Sequence, residues 1–153
     1  MTNTRVLLDE FSQQARRSIP MLATMDMRFT ELGDHSLRVD MPLGPNINDK
    51  QTGFGGSISA LATAAGWAIV SLLLKPRFSS VDVVIAESHM RYLAPATRNF
   101  YAIASISKPA MSAFKQLLDV EHCGRITLQV MIEQDGKQIA VFTATYRAKI
   151  RSA

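Results

Sequence analysis

The spacing of apolar residues changes period several times along this 153-residue chain, and each change marks an element. Over residues 4–18, Leu7, Leu8, Phe11 and Ala15 recur every three or four positions. Asp9, Glu10, Gln13, Gln14, Arg16 and Arg17 fill the other side. That period predicts an amphipathic helix, which Pro20 stops because proline cannot continue the backbone ladder. Next, Met25, Met27 and Phe29 alternate with Asp26, Arg28 and Thr30, and Leu37, Val39 and Met41 resume the alternation after "LGDHS". Period two on either side of a turn predicts a hairpin. Residues 57–74 are apolar on nearly every side, predicting a surrounded helix of about 27 Å that Pro76 helps to end. A long strand follows over 81–93, bounded by Pro95, then a strand over 99–107 and a short helix over 110–120. "RITLQVMIEQDGKQIAVFTATYRAKI" reads as two alternating runs joined by Asp-Gly, a tight-turn pair.

The expected order is helix, two strands, buried helix, two strands, helical insert, two strands. One antiparallel sheet curling around the apolar helix accounts for it: an α+β fold in a single domain over residues 1–153, with its core over about 20–150. A hydrophobic content of 47 % and a charged content of 20 % fit an ordinary globular chain.

Charge and composition exclude more than they identify. The net charge of +4, from 17 basic and 13 acidic residues, is mild and scattered. With one Trp and no aromatic-basic motif, nucleic acid is not expected as a partner. The apolar run at 60–74 is fifteen residues, shorter than a bilayer span, and contains Thr63, Gly66 and Ser71, so no membrane is expected. The start, "MTNTRVLLDEF", lacks the pattern of a secretory leader. The single cysteine, Cys123 in "EHCGR", can form neither an internal disulfide nor a cysteine-based zinc site, and points to a reducing cytoplasm. His35, His89 and His122 show no metal spacing, so no metal is expected.

The densest chemistry lies in "PNINDKQTGFGGS", residues 45–57, followed by "ALATAAGW". These runs resemble the YiiD-type C-terminal thioesterase domain family, a branch of the hotdog superfamily. "ESHMRYLAPA" is similar to the strand ending in "-Y-x-x-P-" of many hotdog thioesterases, and "CGRITLQVMIEQDGKQIAVFTATY" looks like the family's closing hairpin. The likeness spans about residues 20–150. It implies a hotdog fold, hydrolysis of an acyl-CoA or acyl-carrier thioester, and no cofactor beyond the CoA or phosphopantetheine of the substrate. It also implies a homodimer, or a dimer of dimers, with sites between subunits. PaaI-type hotdog thioesterases share an Asn, a His-Gly-Gly six residues on, and an acid in the helix. Against that pattern Asn48 keeps its place, Phe54-Gly55-Gly56 falls on the His-Gly-Gly, and Thr63 falls on the acid. Thr63 cannot serve as a carboxylate base, so that mechanism does not carry over.

Thioester hydrolysis needs a polarised carbonyl, an activated water and a channel for the acyl chain. Free N–H groups at a helix start suit the first, and Gly55 and Gly56 leave their backbone open to approach, with Gly56 as the principal oxyanion donor. The same glycines could instead serve a tight turn in which Ser57 caps the helix. Asn48 either positions water or carbonyl, or closes an Asx-turn. The base candidates are Asp49 and Glu87, with Thr63 or Ser57 able to orient water. Glu87, His89 and Arg91 share a strand face; in the dimer that the resemblance implies they would approach the partner's glycine loop, and otherwise they form an exposed charge row. Ala60, Ala64 and Trp67 would line the acyl path, Phe54 is a further candidate for substrate binding, and Lys75, Arg77, Arg91 and Arg98 are candidate contacts for phosphates. Two other functions compete: a non-catalytic acyl-thioester-binding protein, and an enoyl-thioester hydratase or dehydratase.

Overall fold

The computed structural model describes residues 2–151. Helix α1 (Thr2–Ser18) is followed by α2 (Pro20–Thr24), β1 (Arg28–Leu32), β2 (Ser36–Met41), a single 3-10 turn (Gly44–Asn46) and α3 (Gly55–Leu74). Then come β3 (Val81–Tyr92), β4 (Phe100–Ser105), α4 (Lys108–Glu121), β5 (Cys123–Gln134) and β6 (Lys137–Ile150). All six strands form one sheet in the order β1-β2-β4-β5-β6-β3, every pair antiparallel. The sheet wraps α3, which packs against β2 through β6. This is the expected hotdog architecture.

Why α3 sits at the centre follows from its side chains. Twelve of its twenty residues are buried, among them Leu61, Ala65, Ala68, Ile69 and Val70. Its length alone would suffice for a membrane span, so burial under the sheet, rather than shortness, makes it a core helix. At Gly66 the Tyr146 side chain of β6 lies against the helix backbone, and a Cβ there would clash with its hydroxyl. Tyr146 is fully buried and donates to the Thr63 carbonyl at 2.8 Å. Burial raises its pKa, because the phenolate would be desolvated.

Helix α1 ends at Ser18, as the proline at position 20 predicts. The pattern did not predict α2: after a break at Ile19, Pro20 occupies its first turn, where the missing N–H costs nothing. One expectation needs correction. Met25 and Met27 precede the first strand rather than belong to it, although Met27 is fully buried. The Asp135-Gly136 turn has φ of 49° and 75°, the pair of positive values its sequence favours.

A bulge in β3 decides which side chains face α3. Val83 and Ile85 lie opposite Ala148 and Tyr146, both buried against the helix. The register shifts between Ile85 and Glu87, after which Ser88, Met90 and Tyr92 lie opposite Ala144, Phe142 and Ala140 and take the inward face. Glu87, His89 and Arg91 therefore do share a face, and it is the outer one, turned away from α3.

Candidate functional site

The loop entering α3 is built by its own polar groups. Ile47 and Gly53 form an isolated antiparallel bridge, and Gln51 turns the chain with φ of 62°. The Asn48 side-chain oxygen accepts from the amides of Lys50 at 2.9 Å and Thr52 at 3.1 Å, while its amide nitrogen donates to the Thr52 hydroxyl at 3.0 Å. Asn48 thus closes an Asx-turn. Gly53 donates to Ala96 at 2.8 Å, and a Cβ there would come within 2.7 Å of the Ala96 methyl. The Phe54 amide donates to the Asn46 carbonyl at 2.7 Å.

Asn46, which the sequence pattern did not single out, is the buried anchor of this loop. Only 1 % exposed, it donates from its side chain to the carbonyls of Met25 at 3.0 Å and Pro42 at 2.8 Å. It ties the loop to the segment after α2.

Phe54 stands at the N-cap of α3 without a side-chain cap bond. Gly55, Gly56 and Ser57 follow, and their amides donate to no partner among the described residues. Three unpaired N–H groups at the positive end of a twenty-residue helix form a site for developing negative charge. The Tyr92 hydroxyl donates to the Gly55 carbonyl at 2.9 Å, pinning this turn to the end of β3. A Cβ on Gly56 would lie 2.5 Å from a ring carbon of Phe54, so Gly56 has to lack a side chain while the ring stands there.

A cleft of about 460 Å³ opens beside Gly56. One wall is α3, through Gly56, Ser59, Ala60, Thr63, Ala64 and Trp67; the other is Ile19, Met21, Leu22, Met25 and Met27. Its volume lies in the range of small-molecule sites. Ser59, another residue the sequence reading passed over, stands one turn from Gly56, and Thr63 one turn further. Neither hydroxyl has a hydrogen-bond partner among the described residues, whereas Ser71 returns its hydroxyl to the Trp67 carbonyl at 2.8 Å. Trp67 packs on Phe11 at 5.4 Å between ring centroids, and Phe11 meets Phe29 edge-on at 5.6 Å.

Other candidates lie elsewhere. Asp49 is 79 % exposed and paired with Lys50 at 3.0 Å. Glu87, His89 and Arg91 stand on the outer sheet face, on the opposite side from the cleft of their own chain. Lys75 and Arg77 follow the C-terminal end of α3; Gly56 and Lys75 are nineteen positions apart, a rise of about 28 Å. Arg77 is paired with Asp119, and Arg98 with Asp135 at 2.9 Å. Within one chain, none of these cations meets the glycine turn. Ser57 is buried and outside the cleft lining. Among the described residues no group of three or more His, Cys, Asp or Glu is placed to hold a metal ion.

Comparison with known proteins bears on the same region. The chain is similar to the crystal structure of a "putative thioesterase" from Shewanella oneidensis, with 29 % identity and a TM-score of 0.82 over 96 % of this chain and 99 % of that one. It is also similar to a Chlorobaculum tepidum protein described as of unknown function, with 26 % identity and a TM-score of 0.87 over 94 % of both chains. A thioesterase from Haemophilus influenzae has 18 % identity and a TM-score of 0.74 over 92 % of this chain and 89 % of that one, a likeness of fold alone. The family model described as "Putative thioesterase (yiiD_Cterm)" matches residues 8–150, from α1 through the glycine turn to the last strand, and the chain belongs to that family.

Proposed function

We propose that this protein hydrolyses acyl-CoA or acyl-carrier thioesters, with the Gly56 amide, assisted by that of Gly55, stabilising the oxyanion. The carrying observation is the pair of unpartnered amides at the start of α3, of which Gly56 lines the apolar cleft. In the reaction, water attacks the thioester carbon and the carbonyl oxygen takes up the negative charge. The C–S bond then breaks, leaving a carboxylic acid and a thiol. Amides already aimed at that oxygen need no reorganisation as charge develops, which makes one such donor worth about a hundredfold to a thousandfold in rate. The hydroxyls of Ser59 and Thr63 hold the attacking water, and the acyl chain lies along Ala60, Ala64 and Trp67.

The working form is a homodimer in the cytoplasm. Outer strand β3 has an open edge along which Val84, Ile85 and Tyr92 are exposed, with Leu93 just beyond it, and such an edge is suited to pairing with a second copy. Light scattering that finds only monomer would overturn this part. A lone thiol suits a reducing compartment.

One observation favours a second reading, an acyl-thioester-binding protein without turnover: among the described residues, no carboxylate, imidazole or thiol lines the cleft. Thiol release from acyl-CoAs of several chain lengths separates the two. Release that Gly56→Pro lowers about a hundredfold or more supports hydrolysis, and tight binding without release supports the binder. Hydration of an enoyl-CoA without thiol release would point to a hydratase instead.

A further inference from the structure

We infer that the cleft between α2 and α3 is a slot that selects medium-chain acyl groups, with Trp67 as its stop. The inference takes from the thioesterase reading only the position of the carbonyl, at the Gly56 amide.

The dimensions follow from the helix. Gly56 and Trp67 are eleven residues apart on α3 and line the same cleft, which puts their Cα atoms about 16 Å apart along the axis. A side chain on a helix leans over the turn before its own Cα, so the indole covers about one turn, roughly 5 Å, of that distance. About 11 Å remains between the Gly56 amide and the ring. An extended hydrocarbon built from single bonds of about 1.5 Å advances about 1.25 Å per carbon, so the space takes about nine carbons. Octanoyl and decanoyl groups fill it.

The walls and the stop differ in character. Ala60 and Ala64 leave the α3 side open, and Leu22, Met25 and Met27 face it. Methionines adapt to an irregular occupant. Trp67 is held: its ring rests on Phe11, which Phe29 braces edge-on. Leu8 and Ala15, buried on α1, fix the helix that carries Phe11, so moving the indole would mean moving α1. The stop is firm where the side wall is soft, and chain length is therefore read at Trp67.

The test is titration of the full chain with straight-chain acyl-CoAs from butyryl to palmitoyl, followed by calorimetry, with thiol release measured in parallel. Each added carbon should tighten binding roughly fourfold up to the stop and gain nothing beyond it. The break is expected at octanoyl to decanoyl. Trp67→Ala should move it out by about four carbons, the depth of the ring. Ala60→Leu, at a half-buried position on the cleft wall, should bring it in, and it carries the test if Trp67→Ala does not fold. No break up to palmitoyl, or a break that stays put in the folded variants, overturns the inference. Binding with the expected break but no thiol release refutes the thioesterase reading and leaves the slot standing. Release with no break does the reverse, and neither binding nor release at any length removes both.

Discussion

Replacing Gly56 by proline removes one hydrogen-bond donor while sparing the helix. The Gly56 amide has no partner among the described residues, so no backbone bond is lost, and proline is tolerated in the first turn of a helix. The new ring carbons displace Phe54, since a Cβ at this position would lie 2.5 Å from the phenyl ring, but Phe54 is 52 % exposed and can swing outward. Gly55 must keep helical dihedrals ahead of a proline, a disfavoured pairing, and we expect a cost of about 1 kcal/mol, or about 2–4 °C in Tm. Gly56→Ala is the matched control: it places the same Cβ against Phe54 and keeps the N–H. Its helix-propensity gain of up to about 1 kcal/mol offsets the displaced ring, so stability should stay within about 1 kcal/mol of the parent. If the amide holds the oxyanion, kcat for acyl-CoA hydrolysis falls about a hundredfold to a thousandfold in the proline variant, about 2.7–4 kcal/mol of barrier. The alanine variant should lose no more than about tenfold, about 1.4 kcal/mol. Thiol release under saturating substrate, with circular dichroism to confirm folding, gives both numbers. A folded proline variant within tenfold of the parent, or equal losses in the two variants, refutes the oxyanion assignment.

Three further outcomes follow from the same geometry. Tyr92→Phe removes the bond to the Gly55 carbonyl; it should cost about 0.5–1.5 kcal/mol in denaturant titration and lower kcat more than it raises KM, because the glycine turn loses its tether to β3. Gly66→Ala drives a methyl into the Tyr146 hydroxyl and should destabilise by about 1–3 kcal/mol, with Tyr146→Phe restoring only part of it, since the ring carbons remain at 2.6 and 2.7 Å. Asp49→Asn and Glu87→Gln should leave turnover within about twofold, because one carboxylate stands in solvent beside Lys50 and the other on the outer sheet face; a large loss in either would require a base brought in from a second copy.

Most of the fold was legible because period and burial coincide. Leu37, Val39 and Met41 alternate in sequence and are all buried, and the Asp-Gly pair turns where its backbone preference demands. What escaped the sequence depended on three-dimensional neighbours. Proline at position 20 marks the end of α1 but does not announce α2, whose five residues are too few to show a helical period and are anchored by the buried Leu22. Asn46 and Asn48 look alike in "PNIND"; which is buried depends on the distant carbonyls of Met25 and Pro42. The bulge after Ile85 left the pattern of Glu87, His89 and Arg91 intact but turned it outward. Lys75 and Arg77 are a different case. Helix length alone puts them about 28 Å from Gly56, a distance the sequence already contained.

The chemistry of the cleft finally bears on how rate depends on pH. A positioned general base contributes about a hundredfold to ten-thousandfold, and its titration flattens the profile above its own pKa. The cleft offers the amides of α3 and the hydroxyls of Ser59 and Thr63, and none of these titrates in the ordinary working range. A site of this kind can stabilise the oxyanion and orient water, but it must draw the deprotonating power from solvent hydroxide. For the folded protein, log kcat/KM should then rise about one unit per pH unit between about pH 6 and pH 9, without a plateau. Gly56→Pro should lower the line without changing its slope, because the amide acts on charge rather than on a proton. A plateau with an apparent pKa between about 5 and 7 would show a carboxylate or imidazole at the reacting centre. Among the described residues neither lines the cleft, so a second copy is the expected source of such a group.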